Sequence, residues 1–263
     1  MTQQLIIKQV GALASQIKKA LPNNMDPDRF SRVVITALRK NPTLAKCTIE
    51  SLFGSILQSA QMGLEPSDGL GKSYLIPYFN KKNDQYECQL QTGYKGLLDL
   101  AYRSGRIRSI YAAVVNSQDD FVYSLGTDPK IDHRPTDQAN IGPMTHVYAV
   151  AFLKDGGYQF EVMSRDQVEK IRLLSPSKNS SPWSKWYDEM AKAKVLKRLC
   201  KVLPLSVEIA RAVALDDQLE GGSIQEFDYS VESAIQDAAL PVGWDEPPKA
   251  KPKKSRLQAL IKD

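Results

Sequence analysis

The sequence predicts an α+β fold, a small antiparallel sheet flanked by helices. Three observations carry this. Apolar residues recur at helical spacing up to residue 62 and again from residue 164. Between them, residues 73–163 break into short alternating runs bounded by turn residues. The turns Lys81–Asp84 and Asp155-Gly156-Gly157 are short enough to join antiparallel neighbours.

Residues 3–21 place Leu5, Ile6, Val10, Leu13 and Ile17 on one helical stripe, which Pro22-Asn23 ends. Asp26-Pro27 opens a second helix, with Asp as N-cap and Pro at the first helical position, running to about Lys40. A third spans Thr48 to Met62 and stops at Gly63. Strands follow at 73–79 (SYLIPYF) and 85–91 (QYECQLQ), then a short helix at 94–104 closed by Gly105. Residues 107–115 form the next strand, and 121–125 and 130–134 are further strand candidates around a turn at Gly126–Pro129. The hairpin 145–153/158–163 leads to the capping box Ser164-x-x-Gln167 and a helix to 174. After a loop at 175–182, Ser181-Pro182 caps one long helix ending before Pro204, and another covers 206–219. From Gly221 periodicity is lost, and 221–263 reads as a largely disordered tail, with 255–263 a helix formed on a partner.

The 263 residues carry a net charge of +5, unevenly spread. Residues 1–204 hold 28 Lys and Arg against 19 Asp and Glu, 205–247 hold 1 against 10, and 248–263 hold 6 against 1. A basic body with an acidic segment and a basic tip is the layout of a polyanion binder with a tail. The three cysteines, Cys47, Cys88 and Cys200, form neither a disulfide framework nor a CxxC pair and are expected to be buried. No run approaches a membrane span and the N-terminus has no secretory pattern, so a cytoplasmic location is expected. GLGKS (69–73) ends like a nucleotide-binding P-loop, but Pro66 stands where that pattern needs Gly, and a strand rather than a helix follows.

Two cationic clusters stand out. The first is Lys95, Arg103, Arg106 and Arg108, with Asp99 the one acid among them. The second lies on the 181–204 helix. There Trp186, Met190, Ala193, Leu196, Cys200 and Leu203 share one face, and Lys194, Lys197, Arg198 and Lys201 form the adjoining stripe. No acid stands at i±4 to pair with that stripe, so it is expected to repel itself until an anion arrives. Aromatics accompany both clusters: Tyr94, Tyr102 and Tyr111 with the first, Trp183, Trp186 and Tyr187 with the second. Cations that track phosphates beside rings that stack on bases are how single strands are bound without sequence preference.

LGKSYLIPY (70–78), QLQTGYKGLLDLAYRSGRIRSI (89–110) and WSKWYDEMAKAKVLKRLCK (183–201) resemble the RecT family of phage and prophage recombinases, single-strand annealing proteins related to Redβ. The resemblance covers about residues 45–220. It rests on the pattern G-Y-K-G-[LY]-x-x-L-A-x-R-[ST]-G and on a W-x-K-x-[YF]-x-x-M-A-x-K-x-[VAL]-[LI] helix, which Lys185 and Met190-Ala191 fit, with Ala193 standing at the pattern's last Lys. It implies an α+β core with helices around a basic DNA-binding groove. It implies an ATP-independent protein that coats single-stranded DNA, pairs it with a complementary strand, holds the annealed duplex, and assembles into rings, arcs or helical filaments. It implies a partner 5′→3′ exonuclease and, by analogy, a host replication protein bound through 221–263. It leaves divalent-metal dependence open.

Carried across, the resemblance puts Tyr94, Lys95, Arg103, Lys192, Lys194, Lys197 and Arg198 in the groove. Arg106, Arg108, Lys185, Trp186 and Lys201 complete the candidate DNA-binding set. Residues 1–44 are expected to use their apolar stripes for subunit contacts, 45–220 to bind and anneal DNA, and 221–263 to reach partners. The competing readings are a passive single-strand coat, an RNA-binding module, and a metal-dependent nuclease using Asp128, Asp132 and His133.

Overall fold

The computed structural model describes residues 3–67, 69–175, 181–204 and 207–220. The expected tail and most of the 175–182 loop lie outside the described residues.

The first expected helix is two, α1 (Gln3–Ala12) and α2 (Ala14–Ala20), meeting at Leu13. The side chain of Asp26 accepts from the backbone N–H of Asp28 and opens α3 (Pro27–Lys40). A 3-10 turn, Pro42–Lys46, leads to α4 (Ile49–Met62), capped by Thr48 and ended by Gly63 at φ 61°. That positive φ is the left-handed conformation glycine adopts without a Cβ penalty.

Helix α4 is the axis of the fold, buried almost along its whole length. Its small polar residues serve the strand beside it: Ser51 Oγ accepts from Cys88 N at 2.8 Å, and Ser55 Oγ donates to Cys88 O at 3.0 Å. On its other side, Ile6, Val10, Leu13 and Ile17 of the first two helices and Phe30, Val34 and Leu38 of α3 join the same core. The stripes expected at a subunit contact are therefore spent inside the chain. Patterning marks a face for burial without saying whether the cover is this chain or another copy.

In place of one sheet there are three separate antiparallel ones. β1 (Ser73–Asn80) pairs with β2 (Gln85–Thr92) and packs on α4. Helix α5 (Tyr94–Arg103) leads to β3 (Ile107–Asn116), the edge of a three-stranded sheet completed by β6 (Met144–Leu153) and β7 (Tyr158–Ser164). β4 (Asp120–Ser124) and β5 (Lys130–Arg134) form a hairpin of their own. Helix α6 (Arg165–Leu174) starts from the complete Ser164–Gln167 capping box. Helices α7 (Ser181–Lys185), α8 (Tyr187–Cys200) and α9 (Val207–Glu220) follow.

Strand alternation gives the three-stranded sheet two different faces. Val147, Ala149, Ala151 and Met163 face the main core, on which α8 packs. Val115, Tyr148 and Val150 face the other way, into a small second cluster with Phe121, Ile131, Phe152 and Phe160. All three cysteines are buried, and burial raises the thiols of Cys47 and Cys200 to about 12.

Candidate nucleic-acid interface

The Gly93-Tyr94-Lys95-Gly96 turn is shaped by close packing of backbone. Gly93 caps α5 without a side chain and donates to Lys72 O at 3.0 Å. A Cβ on Gly93 would overlap Gly71 O, and one on Gly96 would overlap Lys72 O. Only glycine lets the stretch entering β1 lie flat on the first turn of α5. The Gly-Lys-Ser sequence is thus a docked turn, with Lys72 Nζ bound to Asp99 Oδ1 at 3.0 Å.

Arg103 departs from expectation. It pairs with Asp99 at 3.3 Å and donates to Met62 O at 2.8 Å, at the carbonyl end of α4. There it meets a carbonyl that the helix leaves unpaired and the negative end of the helix dipole. It holds α4 to α5, and its charge is already satisfied. Tyr94 and Lys95, at the other end of α5, are exposed, and Lys95 meets no carboxylate among the described residues.

After Gly105 (φ 74°), β3 turns Ile107 and Ile110 inward and Arg108 and Tyr111 outward. The Arg108 guanidinium lies 5.5 Å from the centre of the Phe152 ring, within cation–π range. Tyr102 accepts from Ile110 N at 3.3 Å, satisfying a donor on this edge strand. Arg106 and Arg108 are exposed and form no ion pair among the described residues. The sequence reading missed Lys154, whose N–H donates to Arg106 O at 2.9 Å and whose exposed side chain stands at the same sheet end. Its only sequence signal is a cation at the end of a strand, beside a turn.

The expected long helix breaks at Trp186, whose φ of −132° and ψ of 45° interrupt it between α7 and α8. Trp183 takes the buried place at 4 % exposure, while Trp186, expected on the buried face, is 65 % exposed. Lys185 beside it is also exposed.

The α8 stripe is not the unpaired row expected. Lys197 is buried, with Asp216 at 2.7 Å and Asp217 at 3.0 Å. Arg198 meets Glu161 of β7 at 2.6 Å, Lys201 meets Asp217 at 2.8 Å, and Lys192 meets Glu189 at 2.8 Å. Lys194 is engaged as well. Burial acts to raise Asp217's pKa, but Lys201 and Lys197 outweigh it and hold the carboxyl below its ordinary value. The acids that meet Lys197, Arg198 and Lys201 come from other elements, β7 and α9, which spacing within one helix does not reveal, whereas Glu189, which meets Lys192, is on α8 itself. Two members of the clusters lie on opposite faces of the three-stranded sheet, although α5, which carries Lys95 and Arg103, packs on α8. Arg198 reaches Glu161 on the core side of the sheet, whereas Arg108 sits over Phe152 on the opposite face.

The residues of the nuclease reading are also apart in their bonding. Asp128 pairs with Lys130 and Asp132 with Arg134. His133 lies between Asp119, at 3.1 Å from Nε2, and the Tyr148 hydroxyl, at 3.2 Å from Nδ1. Asp119 in turn accepts from Asn116 N at 2.7 Å and Thr136 N at 2.9 Å. Burial works to raise its pKa, yet those N–H groups and His133 together lower it. This network ties the β4–β5 hairpin to the sheet. Among the described residues no three His, Cys, Asp or Glu side chains are grouped to hold a metal ion, and no helix is long and apolar enough to cross a membrane.

The two motifs of the family resemblance are thus placed: the Gly-Tyr-Lys-Gly turn is docked against the stretch entering β1, and the Trp183–Ala191 motif runs through α7 into α8. The chain belongs to the RecT family, whose family model matches residues 28–231. It is 46 % identical over 222 residues to Protein RecT of Escherichia coli (strain K12), covering 84 % of this chain and 82 % of that protein. It is 29 % identical over 194 residues to the uncharacterized protein YqaK of Bacillus subtilis (strain 168), covering 72 % of this chain and 64 % of that one.

Proposed function

We propose that this protein binds single-stranded DNA without ATP, oligomerises on it and promotes its pairing with a complementary strand. The observation that carries the reading is the exposed set Lys95, Arg106 and Arg108, which no described carboxylate neutralises. Tyr94, Lys185 and Trp186 are exposed too and extend the candidate contact set. Lys197 leaves that set because it is buried, and Arg103 because its guanidinium is committed to α4. Lys192, Lys194, Arg198 and Lys201 would have to exchange existing partners for phosphate.

Two bare strands repel through their phosphates. A protein that neutralises one backbone and keeps it extended lowers that barrier without making or breaking a bond. Phosphate contacts carry little sequence information, so binding is sequence-tolerant and salt-dependent. A 5′→3′ exonuclease would supply the single strand, and residues 221–263 would reach a replication partner.

The test is the salt dependence of single-strand binding. Replacing Lys95, Arg106 and Arg108 by Ala should weaken binding. It should also make the slope of log K against log salt shallower by about 2, at ~0.7 per lost phosphate contact. An unchanged slope would show that these three side chains face only solvent.

A further inference from the structure

The outward face of the β3–β6–β7 sheet is only half covered. The β4–β5 hairpin closes one end, where Phe121 stacks on Tyr148 with ring centres 5.8 Å apart and planes 17° from parallel. At the other end, which the hairpin's turn reaches at Pro129, the aromatic floor stays partly exposed. Tyr111 and Phe152 lie 6.4 Å apart at 22°, Phe152 and Tyr158 6.1 Å apart at 37°, and Tyr158 and Phe160 6.3 Å apart at 16°. Tyr111 is 45 % exposed and Tyr158 40 % exposed.

These rings are held in place. The Tyr158 hydroxyl donates to Pro129 O at 2.6 Å, and the Tyr111 ring meets the Tyr148 ring edge-on with centres 6.3 Å apart. Fixed rings lose little rotamer freedom when a ligand lands on them.

The border of the open end identifies the ligand. Arg108 leans over Phe152, and Arg106 and Lys154 stand beside it, joined through the Lys154 N–H to Arg106 O bond. Two acids stand near this end: Asp155 is exposed and accepts from Gly157 N in the turn, and Asp128, next to Pro129, is paired with Lys130 at 2.7 Å. An apolar protein surface laid on the floor would strip water from these cations and return no charge, which is costly. A single-stranded nucleic acid offers flat bases to the rings and phosphates to the cations.

We propose that this half-open sheet face is a base-stacking platform for single-stranded DNA, with Arg106, Arg108 and Lys154 holding the adjacent phosphates. The proposal rests on the single-strand-binding reading above and adds where the bases go. Stacking uses the face of a base and leaves its pairing edge available to a second strand.

The experiment uses the full chain carrying Tyr111→Ala with Tyr158→Ala, and a Tyr111→Phe, Tyr158→Phe control. Binding is measured by fluorescence anisotropy to oligo-dT and to an abasic oligomer of equal length, across a salt series. The Ala variant should bind oligo-dT roughly 5- to 100-fold more weakly, the range for losing one stacked base. It should keep wild-type affinity for the abasic oligomer and the wild-type salt slope, and the Phe control, which keeps both rings but not the Tyr158 bond to Pro129, should retain most of the wild-type affinity for oligo-dT. Unchanged affinity of the Ala variant for oligo-dT overturns the platform and leaves the annealing reading intact. Equal loss on both oligomers also overturns it, and marks the face as a contact for folding or for a second copy. Absence of salt-dependent binding of either oligomer by the wild-type protein removes the underlying reading and the platform together.

Discussion

Lys197 gives the sharpest separation between a charge row meant for DNA and one that holds the protein together. Its side chain and that of Asp216 are 6 % and 8 % exposed, and they meet at 2.7 Å. Asp217, 3.0 Å from the same ammonium, is 42 % exposed and shared with Lys201, so it adds less. Lys197→Ala removes the cation and leaves Asp216 buried beside the gap. Breaking a buried pair from one side costs about 3–5 kcal/mol. At roughly 2–4 °C per kcal/mol for a chain of this size, Tm should fall by about 6–20 °C. Replacing both partners, as Lys197→Met with Asp216→Leu, should recover most of that loss, because no charge is then stranded. Differential scanning calorimetry reads the stability, and single-strand binding over a salt series reads the role in DNA contact. The salt slope of Lys197→Ala, measured well below its Tm, should equal that of wild type. A variant that melts with wild type and shows a shallower slope would refute this reasoning and return Lys197 to the DNA-binding set.

Gly96→Ala should destabilise the protein by about 1–3 kcal/mol, the usual range for overpacking, because its new methyl meets the Lys72 carbonyl rather than a yielding side chain; urea denaturation checks this. Asp119, held below its ordinary pKa, contributes stability that is fully present above the unfolded value near 3.8 and is lost as pH falls through the lower folded value. Asp119→Asn should therefore be less stable than wild type at neutral pH, with the gap in Tm narrowing as pH drops below about 4. A gap that is constant with pH would mean the carboxylate's charge is not what ties the hairpin to the sheet.

Much of the fold could be read from local chemistry. Asp26 with Pro27, Thr48, Gly63 and the Ser164–Gln167 box each mark a helix end by a backbone hydrogen bond or a left-handed φ, and such signals need no knowledge of the rest of the chain. The hairpins were legible for the same reason. What escaped depends on distant residues. Glu161, Asp216 and Asp217 neutralise α8 from β7 and α9, so a cation stripe without acids at i±4 looked free when it was not. The N-terminal stripes are buried among α1, α2, α3, the 3-10 turn and α4, and an interface between copies would carry the same pattern. Trp186 falls on the apolar side of an ideal helix, but the chain breaks there and turns it outward. The Gly-Tyr-Lys-Gly motif is a signature in the sequence, while its physical reason, two glycines pressed on the backbone at residues 71 and 72, depends on a contact between separate stretches of the chain.

The central claim is that this chain pairs complementary strands by holding a backbone, with no nucleotide consumed. A stopped-flow assay with two complementary fluorescent oligonucleotides, without ATP and with or without Mg²⁺, tests it most directly. Pairing faster than the spontaneous rate, with both strands intact and the acceleration reduced in the Lys95, Arg106 and Arg108 triple variant, is the predicted result. Strands that are bound yet pair no faster than in buffer, or that are cleaved, would contradict it.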